Sequence, residues 1–256
     1  MAEIVAIANQ KGGVGKTTTA INLSSALAAA ERKVLLVDID PQANASSGLG
    51  INGSALSSNI YQALVKDLNL GQVICDTELL TLKLVPSNEE LAGAEIELVS
   101  LPEREFRLKA ALDRVKDQFE FIIIDCPPSL SLLTINALVA CQTVIVPLQC
   151  EYYSLEGLGR LVRTVKLVKE RLNPSLRIEG ILLTMFDRRN NLSWQVVEEV
   201  KKHFPDQVYR TLIPRNVRLG EAPSFGRPVI LYDINSAGAQ SYLELAREFL
   251  ARKEKR

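Results

Sequence analysis

The 256-residue chain is expected to fold as an α/β protein: a doubly wound, mostly parallel twisted sheet flanked by helices. Two observations predict this. Short apolar runs alternate with longer helical patterns along the whole chain, the signature of a parallel sheet covered on both faces. The first apolar run also leads directly into a glycine-rich turn and a helical pattern, as in sheets that bind ligands at the carboxyl ends of their strands.

The elements follow in order. Strands are expected at "IVAIA" (4–8), "KVLLVD" (33–38), "LKLVP" (82–86), "FIIID" (121–125), "TVIVPL" (143–148), "IEGILLT" (178–184) and "QVYRTLIP" (207–214). Most are short runs dominated by β-branched or aliphatic residues. Helical patterns occupy about 16–31, 89–98, 103–118, 130–140, 155–172, 192–204 and 236–253. Residues 43–58, small, polar and rich in glycine, read as a long loop, and such a loop beside a ligand site is often a mobile switch. The tail "ARKEKR" reads as a solvated helix end whose cations complement the helix dipole. A single domain is expected over 1–256.

Composition narrows the function. Thirty basic residues balance thirty acidic ones, so any nucleic-acid or membrane affinity must come from a local patch. The four cysteines, Cys75, Cys126, Cys141 and Cys150, show no metal or redox spacing and read as reduced, mostly buried thiols. No apolar run approaches the ~18 residues of a membrane span, and the start is too short for a signal peptide. A cytoplasmic location is expected. The one histidine, His203, sits near a helix end, which leaves the chemistry to carboxylates, lysines and backbone amides.

The turn "KGGVGKTT" after the first strand is a phosphate loop. Its glycines let consecutive N–H groups face an anion, Lys16 reaches the terminal phosphates, and the Thr17 hydroxyl can ligate Mg²⁺. The expected nucleotide contacts are Lys11, Gly12, Gly13, Val14, Gly15, Lys16, Thr17 and Thr18. The usual pattern would place glycine at position 10, where this chain has Gln10, and it has no counterpart to Lys11. From the residues alone, Lys11 is either an added functional cation or a solvated loop lysine.

Magnesium needs further oxygen ligands. Asp125 ends an apolar strand where a Walker-B carboxylate is expected, and Asp38 and Asp40 in "LLVDIDPQ" project to one side of their segment. Asp40 is the candidate for orienting the attacking water, with Asp38 in the outer shell of the metal. An ordinary aspartate is a feeble base at neutral pH, so positioning describes that role better than proton abstraction.

Together, "KGGVGKTT", "LLVDIDPQAN", "FIIIDCPPSL", "VPLQCEYYSLEGL" and "IPRNVRLGEAPSFGRPV" closely resemble the ParA/Soj family of partition ATPases. That family is of the deviant-Walker-A P-loop class, which also holds MinD and the nitrogenase iron protein. The resemblance spans residue 3 to about 250 and leaves no room for the amino-terminal helix-turn-helix extension of larger plasmid ParA proteins. It implies an Mg²⁺-dependent ATPase with weak intrinsic activity that cycles between ATP and ADP. Two subunits sandwich two ATP molecules, the homodimer binds double-stranded DNA without sequence preference, and ParB stimulates hydrolysis and releases it. Lys11 becomes the signature lysine that contacts the partner's nucleotide, making it, Lys16 and Asp40 the expected catalytic groups.

The resemblance also places DNA contacts at Arg188, Arg189, Arg215, Arg218 and Arg227, and borders the adenine with Pro214 and Met185. Residues 185–256 carry 13 Lys/Arg against 9 Asp/Glu, a small excess that scattered surface charge explains as readily as a basic patch, so the DNA assignment rests on the resemblance. The implied location is cytoplasmic and nucleoid-associated, without stable membrane association. Rival readings are a MinD-like membrane ATPase, an iron–sulfur carrier, a small-molecule kinase or ligase, and a ParA relative that positions other cargo. The first would need a basic amphipathic carboxyl-terminal helix, and "YLELAREFLARKEKR" suits core docking equally well.

Overall fold

The computed structural model describes residues 2–151 and 154–254. Seven strands form one sheet: β1 (Glu3–Ile7), β2 (Val34–Asp38), β3 (Cys75–Asp76), β4 (Leu82–Val85), β5 (Phe121–Asp125), β6 (Thr143–Gln149) and β7 (Arg177–Thr184). Their order is β3-β4-β2-β5-β1-β6-β7, and every pairing is parallel except the short β3 against β4. The helices between them are α1 (Lys16–Ala29), α2 (Asn44–Gly48), α3 (Ile60–Val65), α4 (Leu91–Val99), α5 (Arg107–Asp113), α6 (Leu132–Ala140) and α7 (Ser154–Arg171), and after β7 follow α8 (Asn191–His203), α9 (Val217–Glu221), α10 (Val229–Tyr232) and α11 (Ala237–Glu254).

Strand alternation sends successive side chains into two separate cores. Ile4, Ala6, Ile122 and Ile124 pack with α3 to α8, whereas Val5, Ile7, Ile123 and Leu36 pack with α1, α10 and α11. Burial on both faces explains why these strands read as unbroken apolar runs rather than alternating ones. The chain leaves β1 toward one face through α1 and leaves β5 toward the other through α6. That divergence between neighbouring strands opens a crevice at their carboxyl ends, the usual ligand position in such sheets.

Four expectations need correction. Residues 207–214 do not form a strand, although both ends of the segment follow β7. Val208 bridges Ile181, Pro214 bridges Phe186, and the amides of Tyr209 and Ile213 donate to Ile181 and Leu183. Between them the Arg210 and Thr211 amides turn away, each donating to the Glu248 carboxylate of α11 at 2.9 Å. The loop expected at 43–58 contains α2 and a 3₁₀ turn at Gly53–Ala55. The helical pattern at 103–118 is helical only over 107–113, with a 3₁₀ turn at 116–118.

The carboxyl-terminal cations are not simply solvated. Lys253 bridges Glu3 at 2.6 Å and Glu179 at 2.7 Å, and Arg252 bonds Glu248 and lies 4.0 Å over the Tyr209 ring. Residues 255–256 of that tail lie outside the described residues, as do Tyr152 and Tyr153 of the "QCEYYSLEGL" stretch. His203 does end α8, bonded to Glu199 one turn earlier. Cys126, Cys141 and Cys150 are buried and Cys75 is half-buried, all as free thiols.

Candidate nucleotide site

The turn after β1 is shaped by two left-handed residues, Gly13 (φ 72°) and Gly15 (φ 85°). A side chain on Gly15 would meet only Thr184 atoms at ordinary contact distance, so its backbone angle rather than space requires glycine there. The loop is held from both sides. Asn9 donates to the Pro147 carbonyl at 2.7 Å and accepts the Lys11 amide at 3.1 Å. The Thr184 hydroxyl at the end of β7 donates to the Val14 carbonyl at 2.9 Å. Helix α1 then starts with no side-chain cap and no acidic residue in its first turn. Its first N–H groups and the positive end of its dipole are therefore left for an external anion.

The two lysines of the loop have different surroundings. Lys16 is only 6% exposed, and its Nζ donates back to the Lys11 carbonyl at 3.1 Å, inside the cradle. Burial lowers its pKa, while the nearby Asp125 opposes that shift and favours the charged form. Lys11 points outward and pairs with Glu151 at 3.2 Å, with both side chains substantially exposed. Its carbonyl receives Lys16, while its ammonium is paired with Glu151.

Three aspartates converge on the same end of the sheet. Asp38 and Asp125 are register partners on β2 and β5, and both are fully buried. Burial raises Asp125 well above the usual carboxylate range, and the Asp38 charge adds to the effect. Neither Asp125 oxygen has a hydrogen-bond partner; the Thr17 hydroxyl approaches without completing a bond. A buried carboxylate with both oxygens unengaged, beside a hydroxyl and a lysine, fits a cation ligand. Among the described residues no three His, Cys, Asp or Glu form a metal cage. One free carboxylate, Asp125, and one hydroxyl, Thr17, are a donor set that suits Mg²⁺, which takes one or two protein oxygens and the rest from phosphates and water.

Asp38 is different, because its oxygens are already engaged. Oδ2 accepts the Ser46 amide and hydroxyl at 2.9 and 2.7 Å, and Oδ1 accepts the Asp40 amide at 3.1 Å. Burial nevertheless raises its pKa to about 6. Asp40, 6% exposed, uses Oδ1 to accept the Gln42 amide at 3.0 Å.

Beside α1 lies a cleft of about 220 Å³ lined by Gly15, Thr18, Met185, Pro214, Asn216 and Tyr242, among others. Met185 and Pro214, far apart in the chain, thus line one cleft at the end of the phosphate loop. Met185 adopts a left-handed backbone (φ 51°), and the adjacent Phe186 amide bonds the Ile213 carbonyl. Four residues that shape the site, Asn9, Ser46, Glu151 and Thr184, were not among the expected site residues. Only the first has a local signal, an asparagine two residues before a loop amide that it accepts.

A family model described as the AAA domain matches residues 2–178. The chromosome partitioning protein ParA of Myxococcus xanthus is 58% identical over 249 residues, covering 97% of this chain and 88% of the relative. The sporulation initiation inhibitor protein Soj of Bacillus subtilis is 58% identical over 251 residues, covering 98% and 99%. The chain belongs to the ParA/Soj family of chromosome-partitioning ATPases.

Solved structures agree with this ParA/Soj fold. A Mycobacterium smegmatis protein described as cobyrinic acid a,c-diamide synthase, with bound ADP and magnesium, superposes with a TM-score of 0.87 at 37% identity, covering 99% of this chain and 96% of that one. The cell division ATPase MinD of Pyrococcus furiosus superposes at 0.80 with 27% identity, covering 98% and 99%.

In this ParA/Soj chain the five selected arginines do not form one cluster. Arg188 and Arg189 follow β7, and the Arg215 amide bonds the Phe186 carbonyl at 3.2 Å, which brings the 214–218 segment beside them. Trp194 supports that corner, stacking edge-on to Phe186 and donating its indole N–H to the Arg188 carbonyl at 3.1 Å. Arg189 is bidentate to Asp187, and Arg218 pairs with Glu221 at 2.7 Å and Asp233 at 3.2 Å. Arg188 and Arg215 are exposed, with no ion pair among the described residues. Arg227 pairs with Glu78 in the turn before β4, on the far edge of the sheet.

Proposed function

We propose that this chain is an ATP-dependent dimer switch for chromosome or plasmid partition. Mg²⁺-ATP binds at the phosphate loop, with Lys16 on the terminal phosphates, Thr17 and Asp125 as metal ligands, and Asp38 behind them. The adenine occupies the cleft between Met185 and Pro214. Held there, Mg²⁺ would neutralise phosphate charge, and Asp40 orients the water that attacks in line. The sandwich dimer binds DNA without sequence preference, ParB stimulates hydrolysis, and the protein cycles between cytoplasm and nucleoid.

One observation carries the reading: Lys16 fills the cradle while Lys11, five residues earlier, is held outside it by Glu151. A second cation is redundant within one subunit but suited to the nucleotide of another, where it stabilises charge on the transferring phosphoryl group. Exposed ion pairs are worth about 0–1 kcal/mol, so releasing Lys11 from Glu151 is no obstacle to that transfer. Sedimentation with ATP, ADP and no nucleotide, with and without duplex DNA, tests the switch directly. ATP alone is expected to produce the dimer, and Lys11→Ala to bind ATP yet remain monomeric. A Lys11→Ala protein that dimerised and turned over like wild type would end the trans assignment.

DNA binding is assigned to the corner carrying Arg188, Arg189, Arg215 and Arg218, with Arg227 a separate contact. The three arginines already paired with acids can exchange those exposed partners for phosphates at little cost. Arg218→Glu is expected to weaken DNA binding about tenfold or more at low salt while ATP-driven dimerisation persists. Unchanged affinity in a salt-series titration would move the interface elsewhere.

A MinD-like membrane ATPase, or a ParA-like protein that positions other cargo, remains the second reading. Against the former, Tyr242, Leu245, Ala246 and Phe249 of α11 are buried in the α1 core, and Lys253 is tied to Glu3 and Glu179. No helix is long and apolar enough to cross a membrane, among the described residues.

A further inference from the structure

The buried serine of α2 carries an inference about hydrolysis. Ser46 is completely buried, and its hydroxyl is used twice. It donates to Asp38 Oδ2 at 2.7 Å and accepts the Ser87 amide, from the loop after β4, at 3.0 Å. The Ser46 amide donates to the same Asp38 oxygen at 2.9 Å. The other Asp38 oxygen holds the Asp40 amide at 3.1 Å. A continuous chain thus runs from the β4 loop through Ser46 and Asp38 to the backbone of Asp40.

We propose that Ser46 is a positioning residue for ATP hydrolysis, acting through Asp38 to fix Asp40 at the phosphate end of the site. This rests on the reading that Asp40 orients the attacking water. Asp38 faces Asp125 across the β2–β5 pair, so two carboxylates compete for the same buried space. The donors on Ser46 bind Asp38 Oδ2 to α2 and leave Oδ1 to receive the Asp40 amide. Without the hydroxyl, the Ser87 amide loses its acceptor and Asp38 keeps a single donor on Oδ2. Asp38 is then held by two backbone amides alone, and its grip on the Asp40 backbone loosens. Displacement of a positioned group by about 1 Å is enough to cost on the order of 100-fold in rate. The effect falls mainly on turnover, because the phosphate loop and the adenine cleft are built from other segments and Asp38 stands behind the metal ligands rather than among them.

The test is steady-state ATPase kinetics with Mg²⁺-ATP, alongside thermal melting, on wild type, Ser46→Ala, Ser46→Thr and Asp40→Ala. Ser46→Ala is expected to lower kcat about tenfold or more, with KM changed less than about twofold, since a hydrogen bond to a charged group is lost. Ser46→Thr, which keeps the hydroxyl, is expected to recover most of the rate. A folded Ser46→Ala with wild-type kcat, or with its loss confined to KM, overturns the proposal. So does a loss that a folded Ser46→Thr fails to restore. Should Ser46→Ala not melt cooperatively, Ser46→Cys carries the test: its weaker donor must give a kcat between wild type and Ser46→Thr on one side and Asp40→Ala on the other, and a wild-type kcat refutes the role. Wild-type turnover in Asp40→Ala would instead remove the reading beneath, whereas an inactive Asp40→Ala beside a fully active Ser46→Ala removes only the role of Ser46.

Discussion

Asp40→Ala is expected to lower ATP turnover by at least ~100-fold while leaving ATP binding and dimerisation intact, on the scale seen for loss of a positioning group. Asp40 follows β2 directly and is nearly buried, with its amide held by Asp38 and its Oδ1 engaged by Gln42. Oδ2 has no hydrogen-bond partner among the described residues and remains for water. Asp40 makes no hydrogen bond to the phosphate loop and acts on it only through its charge near Lys16, with Asp125 the larger influence there, so the variant is expected to accumulate as a stable, DNA-bound ATP dimer. Single-turnover hydrolysis and gel filtration on the same sample separate the two effects. Turnover within threefold of wild type would take Asp40 out of the mechanism.

Lys16→Ala acts one step earlier, on nucleotide binding. Its ammonium lies in the cradle and among the charges of Asp125 and Asp40, both of which favour its protonated form. Removing one partner of a buried charged set costs about 3–5 kcal/mol, and tenfold in affinity corresponds to about 1.4 kcal/mol. ATP affinity is therefore expected to fall at least ~100-fold, with loss of nucleotide-driven dimerisation. Titration with a fluorescent ATP analogue reads this directly, and an affinity within threefold of wild type would contradict the cradle. Arginine at this position is not a rescue, because a planar guanidinium cannot follow the path of Lys16 back to the Lys11 carbonyl.

Much of the fold was legible because β1, β2, β5, β6 and β7 are buried on both faces and so appear as uninterrupted aliphatic runs. The phosphate loop was legible because its requirements are local: left-handed glycines, a lysine and a hydroxyl within six residues. The failures came from partners distant in sequence. "QVYRTLIP" has the composition of a strand, but Glu248, some 37 residues later, captures two of its amides. Lys253 looked solvated because its acids, Glu3 and Glu179, lie on strands no local pattern connects to it. Arg227 sits in a basic, glycine-containing segment near Arg218, yet folding takes it to Glu78 at the other edge. Ser46 gave no signal in a small, polar stretch, although its two serine-to-carboxylate bonds organise the site.

The position of β1 within the sheet sets the order in which the protein can be built during synthesis. The first strand of the chain is central, and its partners are β5 and β6; Glu3 finds its register partner only at Phe121, about 118 residues later. At a synthesis rate of roughly 5–20 residues per second, β1 waits roughly 6–24 seconds for its first neighbour. Over that interval the emerging phosphate loop has no sheet beneath it, and a run of apolar residues stays unpaired. The nucleotide site is thus begun well before it is completed, which exposes the nascent chain to chaperones for longer than a fold of local contacts would.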